Sequence, residues 1–273
     1  MSLRVILRIL GLLLMLFSLT MLPPTLISLW FRDGVWSAFI SGIAISVATG
    51  LLLYLPNRRS QKELRIRDGF IIAAMFWTVL ALFGSLPLML FGEGSLGITD
   101  AVFESFSGLT TTGATVITGI DFLPESILYY RQQLQWLGGM GIVVLAVAIL
   151  PTLGVGGMAL YRTEIPGPLK DCMIAYMLAG MSWFDALSHS FSTVAIGGFS
   201  TYDASIGYFD SATIEMICVG FMLISAFSFS LHFIAWREKS LMHYFHDPEA
   251  RFLMLFLLAL SVITVLSLWL TDT

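Results

Sequence analysis

Apolar runs separated by short polar ones set the pattern of this chain. Residues 5–30, 34–55, 69–92, 132–161, 216–236 and 252–270 each read as one apolar helix. A helix needs about 20 such residues to cross a bilayer, and 34–55 carries no charge. Pro23-Pro24 is expected to kink or break the first run near one membrane face. The run 172–184 has thirteen residues, too few to cross. One stretch fits none of these patterns: Ser107-Gly-Leu-Thr-Thr-Thr-Gly-Ala-Thr115, after a segment, 100–106, able to form two helical turns. Small hydroxyl residues and glycine inside membrane-grade sequence point to backbone in a polar role. Irregular backbone at membrane depth is tolerated only where it is buried in protein or lines a water-filled path. Carbonyl oxygens on such a loop can replace the hydration shell of a cation.

Composition agrees with the pattern. Of 273 residues, 57% are hydrophobic and only 12% charged, with mean hydropathy +0.87, against about 25% charge in soluble domains. The expected class is an all-α polytopic membrane protein with lipid as its main solvent. The basic flank before the first run has no small-residue cleavage site after it, so that run is expected to be retained. A net charge of −4 gives no basis for nucleic-acid binding. Cys172 and Cys218 suit packing better than a disulfide framework or metal set. His189, His232, His243 and His246 have no metal-ligand spacing. No serine has a partnered base, and Gly-Val-Gly-Gly at 154–157 lacks the lysine of a phosphate loop. No enzyme is expected.

Basic residues set orientation. With the N-terminus in the cytoplasm, Arg4, Arg8, Arg58, Arg59, Lys62, Arg65, Arg67, Arg162, Lys170, Arg237, Lys239 and Arg251 lie inside, and only Arg32 and Arg131 fall in the outer half. This requires 100–115 to dip in and return, and 172–184 to count as a crossing despite its length. Arg131 reads as a snorkelling side chain, with Glu125 or Glu104 as alternative partners. Asp33, Glu93, Asp100, Glu104, Asp121, Glu125, Asp185, Asp203 and Asp210 are either a cation-concentrating outer mouth or ordinary loop charge with two helix caps. The cluster Gly138-Gly-Met-Gly141 favours close helix packing over a hinge.

The unusual stretch has a second copy. Asp100-Ala-Val-Phe-Glu-Ser-Phe-Ser-Gly-Leu-Thr-Thr-Thr-Gly-Ala-Thr115 aligns without gaps, at an offset of 85, with Asp185-Ala-Leu-Ser-His-Ser-Phe-Ser-Thr-Val-Ala-Ile-Gly-Gly-Phe-Ser200. Each copy predicts a short helix capped by Asp100 or Asp185, spanning about 15 Å at 1.5 Å per residue. Its C-terminal end would face a cation near the midplane. The return is extended, through Thr110 to Gly113 or Ala195 to Gly198, with Gly113 and Gly198 free to take unusual angles. Thr193-Val-Ala-Ile-Gly197 echoes the Thr-Val-Gly-Tyr-Gly filter of potassium channels.

With Phe106-Ser-Gly-Leu-Thr-Thr-Thr-Gly-Ala-Thr115, Gln135-Trp-Leu-Gly-Gly-Met-Gly141, Ile165-Pro-Gly-Pro168 and His189-Ser-Phe-Ser-Thr-Val-Ala-Ile-Gly-Gly-Phe-Ser-Thr201, the chain resembles the membrane subunits of bacterial Trk-type potassium uptake systems, the TrkH/TrkG/KtrB superfamily. The resemblance implies a potassium-channel-like fold: four membrane helix–pore helix–filter loop–membrane helix units, preceded by two extra helices. Residues 1–68 would hold those two helices and a basic loop. Residues 69–171 would form the first unit with filter loop 110–115. Residues 172–250 would form the second, with a shortened leading helix and filter loop 193–200, and 251–273 would open an incomplete third. It implies low-affinity potassium transport in the bacterial inner membrane, with or without a coupled ion. Potassium would be held by the backbone of Thr110, Thr111, Thr112, Gly113, Ala195, Ile196, Gly197 and Gly198. Partners would be membrane lipid, a second copy, and the cytosolic nucleotide-binding subunit TrkA. Because the family's third and fourth pore loops have no counterpart, the alternative is a truncated, non-conducting fragment or assembly subunit.

Overall fold

Each regular element is a helix among the described residues, which in this computed structural model are 3–59, 66–92, 94–149, 168–227, 229–240 and 242–271. The first run divides into α1 (Leu3–Leu19) and α2 (Leu22–Phe31). Pro23 and Pro24 sit in the first turn of α2, where an absent N–H leaves no hydrogen bond unmade. α3 (Trp36–Tyr54) runs back beside α1. A Cβ on Gly11 would lie 2.6 Å from the Gly50 carbonyl oxygen, and one on Gly50 2.8 Å from that of Gly11. Both residues must be glycine for these backbones to cross so closely.

α4 (Ile66–Gly84) and the single-turn α5 (Leu86–Leu90) follow, then α6 (Ile98–Leu109) and the long α7 (Glu125–Ile149). After them come α8 (Pro168–Leu178), α9 (Trp183–Val194), α10 (Ala212–Ala226), α11 (Phe229–Glu238), α12 (Met242–His246) and α13 (Pro248–Thr271). Leu3–Phe31, Trp36–Asn57 and Pro248–Thr271 are long and apolar enough to cross a membrane. The main core joins α1, α3, α4, α6 and α7 through Leu14, Phe17, Phe39, Leu80, Leu109 and Leu134.

Three runs differ from their expected form. α7 begins at Glu125 rather than 132, because Pro124 accepts from the amides of Ile127 and Leu128 and Asp33 accepts from the Ser126 amide at 3.0 Å. The run 172–184 is not one helix: α8 ends at Leu178, Gly180 turns the chain at φ +104, and α9 starts at Trp183. The run 216–236 is two helices, since Phe227 is extended between α10 and α11 and the His232 ring donates to the Ile224 carbonyl freed there. Residues 150–161 of the fourth run, the Arg162–Glu164 loop, most of the 165–168 motif, residues 60–65 of the basic segment and Glu93 lie outside the described residues.

The connections 32–35, 119–126 and 201–211 gather at one end. Asp33 reaches Ser126, Asp203 accepts from the Ile120 amide at 3.1 Å, and Asp121 accepts from the Asp203 amide at 3.1 Å.

Candidate ion-binding loops

α6 and α9 are the two copies of one short helix. Each has twelve residues, about 18 Å at 1.5 Å per residue, and the offset of 85 carries Ile98 to Trp183 and Leu109 to Val194. The aspartates do not occupy the expected capping positions. Gly97 and Ser182 are the N-caps, and Asp100 and Asp185 lie three residues on. Ser182 Oγ accepts from the Asp185 amide at 3.1 Å and donates to its carboxylate at 2.7 Å. This satisfies one of the amides left without a partner in the first helical turn.

The helices end in the same way. The amides of Thr110, Thr111 and Thr112 donate to the carbonyls of Phe106, Gly108 and Ser107; those of Ala195, Ile196 and Gly197 donate to Phe191, Thr193 and Ser192. This paired closure needs a left-handed residue just past the helix. Thr111 (φ 54) and Ile196 (φ 52) supply it, and both are β-branched. That conformation is an outlier for such residues and marks a constraint imposed by the surroundings. Gly113 (φ +76) and Gly198 (φ +90) repeat the correspondence two residues later. Among the described residues, no protein donor reaches the carbonyls of 110–113 or 195–198.

The two loops touch. A Cβ on Gly113 would lie 2.0 Å from the Gly197 carbonyl oxygen, and one on Gly198 would lie 3.9 Å from Gly113 Cα. α7 backs both loops, as close packing of its glycines was expected to allow. A Cβ on Gly138 would lie 2.2 Å from the Leu109 carbonyl oxygen, and one on Gly139 would lie 3.2 Å from Ala195 Cβ. Gln135, on the same helix, accepts through Oε1 from Ser192 Oγ at 2.8 Å and the Phe199 amide at 3.1 Å. In the first copy, Ser107 Oγ reaches the Ala114 carbonyl directly at 2.5 Å. The second loop thus carries a glutamine spacer where the first closes on itself. A Cβ on Gly197 would lie 2.4 Å from Gln135 Cδ, which is why glycine stands where the first copy has Thr112.

Behind the loops lies a polar centre that the sequence offered only as an alternative. Arg131 does not snorkel: it and Glu104 are both fully buried, with Arg131 Nε at 2.8 Å and Nη2 at 2.6 Å from Glu104 Oε1. Thr115 Oγ1 also donates to that carboxylate, at 2.9 Å. At the equivalent position of the second copy, His189 is buried between the Asp185 carbonyl (2.9 Å) and Ser200 Oγ (3.0 Å). The repeat offset pairs Glu104 with His189 and Thr115 with Ser200, so the alignment held the signal. Of the acidic set, Asp33, Glu104, Asp121, Asp185 and Asp203 all bind protein donors. Asp33 takes those of the 32–35 connection and α7, Asp185 those of Ser182, Thr201 and Tyr202. Glu104 takes those of Arg131 and Thr115, Asp121 the Asp203 amide, and Asp203 the Ile120 amide.

Comparison with known proteins places these features. The family TrkH, "Cation transport protein", matches residues 36–181 and 172–273, dividing at the stretch that holds α8. The chain is 73% identical to the Trk system potassium uptake protein TrkH of Halomonas elongata, over all of this chain and 61% of that protein. It is 52% identical to TrkH of Escherichia coli K12, over 98% of this chain and 61% of that one. The crystal structure of the potassium transporter TrkH from Vibrio parahaemolyticus superimposes with a TM-score of 0.88 at 51% identity, covering 96% of this chain and 58% of that one. The chain therefore spans about three fifths of the length of these relatives.

Proposed function

We propose, from the premise that this chain belongs to the TrkH cation transport family, that it forms part of a potassium pathway across the bacterial inner membrane, with its N-terminus in the cytoplasm. The observation that carries the reading is the contact of two backbone loops of one geometry, Thr110 to Gly113 against Ala195 to Gly198, whose carbonyls meet no protein donor among the described residues. Oxygens so placed can take the place of water around a dehydrated alkali cation. The relatives' names support potassium as the ion. A second copy of the chain, membrane lipid and a cytosolic TrkA-type regulatory subunit are the proposed partners.

Residues 69–171 and 172–250 act as two successive pore units in this reading, and 251–273 opens a third. Two loops supply half of a fourfold ring. The alternative is an assembly subunit that folds without conducting. Rubidium flux into liposomes holding only this chain separates the two readings. Within either, Gly113→Asp places a side chain on the Gly197 carbonyl and forces it to φ +76. It is expected to abolish potassium-dependent growth rescue in cells that depend on this protein for uptake. Undiminished rescue would count against the loops as the ion path.

A further inference from the structure

The fully buried Arg131 touches both loops. Beyond its two bonds to Glu104, Nη1 donates to the Ser200 carbonyl at 3.2 Å and Nη2 to Thr115 Oγ1 at 3.2 Å. The guanidinium lies 4.5 Å over the Phe199 ring. Glu104 completes the tie by accepting from Thr115 Oγ1 and from the Val116 amide at 3.3 Å. Thr115 and Ser200 each stand two residues past the loop glycines, Gly113 and Gly198. The chain's own duplication makes the point sharper. α10, which follows the second loop as α7 follows the first, carries no Arg, Lys or His, and His189 stands in for Glu104. One cation on one helix therefore serves two loops.

We propose that Arg131, held by Glu104, is a positioning residue that fixes the separation of the two loop limbs and thereby sets the size of cation they accept. A buried ion pair adds little net stability over a packed apolar pair, and its best-attested use is to fix register. Arginine suits the task because its planar fork spends Nε and Nη2 on the carboxylate and still directs Nη1 elsewhere; a lysine offers one nitrogen to all of these partners. The carboxylate fixes the guanidinium, the guanidinium fixes the Ser200 carbonyl, and the Gly113–Gly197 contact passes that placement to the opening between the loops. This inference rests on the reading of the two loops as an ion path.

The test uses the protein in its native membrane context and purified in detergent. Arg131→Lys keeps the charge beside Glu104 and so keeps the fold. It is expected to speed amide hydrogen exchange about tenfold in peptides spanning Thr201 and Tyr202, the equivalent of about 1.4 kcal/mol, while peptides from α1 and α3 stay unchanged. In uptake assays it is expected to lower the preference for rubidium over sodium about tenfold. Gly113→Asp serves as the control for the loops themselves. If Gly113→Asp stops uptake and Arg131→Lys alters neither exchange at 201–202 nor ion preference, the positioning role is overturned and the ion-path reading stands. If Gly113→Asp leaves uptake intact, the ion-path reading fails first. A uniform rise in exchange throughout Arg131→Lys shows a general folding role and also overturns the proposal.

Discussion

Thr112 and Gly197 hold the same place in two copies of one loop, yet only Thr112 has room for a side chain. The difference lies in Gln135, whose amide fills the space that a Cβ on Gly197 would need. Gly197→Ala is therefore expected to displace Gln135, release the Phe199 amide and the Ser192 hydroxyl, and destabilise the fold by about 1–3 kcal/mol. Denaturant unfolding in detergent measures this. The left-handed Ile196 predicts the opposite sign. Relief of a strained β-branched residue is worth about 1–2 kcal/mol, partly offset by the flexibility of glycine in the unfolded chain. Ile196→Gly should thus unfold at equal or higher denaturant concentration while transport becomes less selective. At this scale the glycines were legible, because an offset of 85 superimposed Gly113 on Gly198. The Arg131–Glu104 pair was legible only as one alternative beside Glu125, because an arginine near the end of an apolar run reads equally well as a snorkelling side chain. Only the fold brings Glu104, six residues past the first residue of α6, beneath it.

Helix ends tell a parallel story. The sequence placed α6 and α9 within a turn of their true starts, but assigned their caps to aspartates that lie three residues too far along. Gly97 has φ −59 and ψ 158, and Ser182 has φ −58 and ψ 157, so the two caps share one backbone geometry while only Ser182 offers a side-chain acceptor. Gly97→Ser should recreate with Asp100 the reciprocal pair that Ser182 makes with Asp185, stabilising α6 by a few tenths of a kcal/mol. Ser182→Ala should cost about 1 kcal/mol. Thermal unfolding of both variants checks the sign of each. The helix behind the loops is less forgiving. Gly138→Ala drives a methyl onto the Leu109 carbonyl, and overpacking of this kind costs about 1–3 kcal/mol. Gly220, with nothing within 4 Å of its absent Cβ, should accept alanine with a gain of up to about 1 kcal/mol. The broken runs, 172–184 and 216–236, escaped the sequence because hydropathy counts apolar residues without seeing where Gly180 and Phe227 leave helical angles.

For the molecule as a whole, the hydrogen bonds sort the connections into two ends. Asp33, Ile120, Asp121, Ser126 and Asp203 are bonded together at one of them. Both short helices start from that end and stop part-way through, since about 18 Å of helix cannot traverse about 30 Å of hydrocarbon. Arg32 is there, whereas Arg4, Arg58, Arg59, Arg237 and Lys239 lie toward the other end of the helices that carry them. On the proposed orientation, which the positive-inside bias supports, the bonded end is the outer one, and cations would meet the loops before any cytosolic surface. Surface labelling decides this. In a background with Cys172 and Cys218 replaced by alanine, Phe122→Cys, at a position 90% exposed, should react with a membrane-impermeant maleimide in intact cells. Met242→Cys, at a position 60% exposed, should react only after permeabilisation. The reverse pattern would invert the protein and make the two loops dip in from the cytoplasm. Uptake would then begin at the end that carries Arg4, Arg58, Arg59, Arg237 and Lys239, which the positive-inside bias opposes.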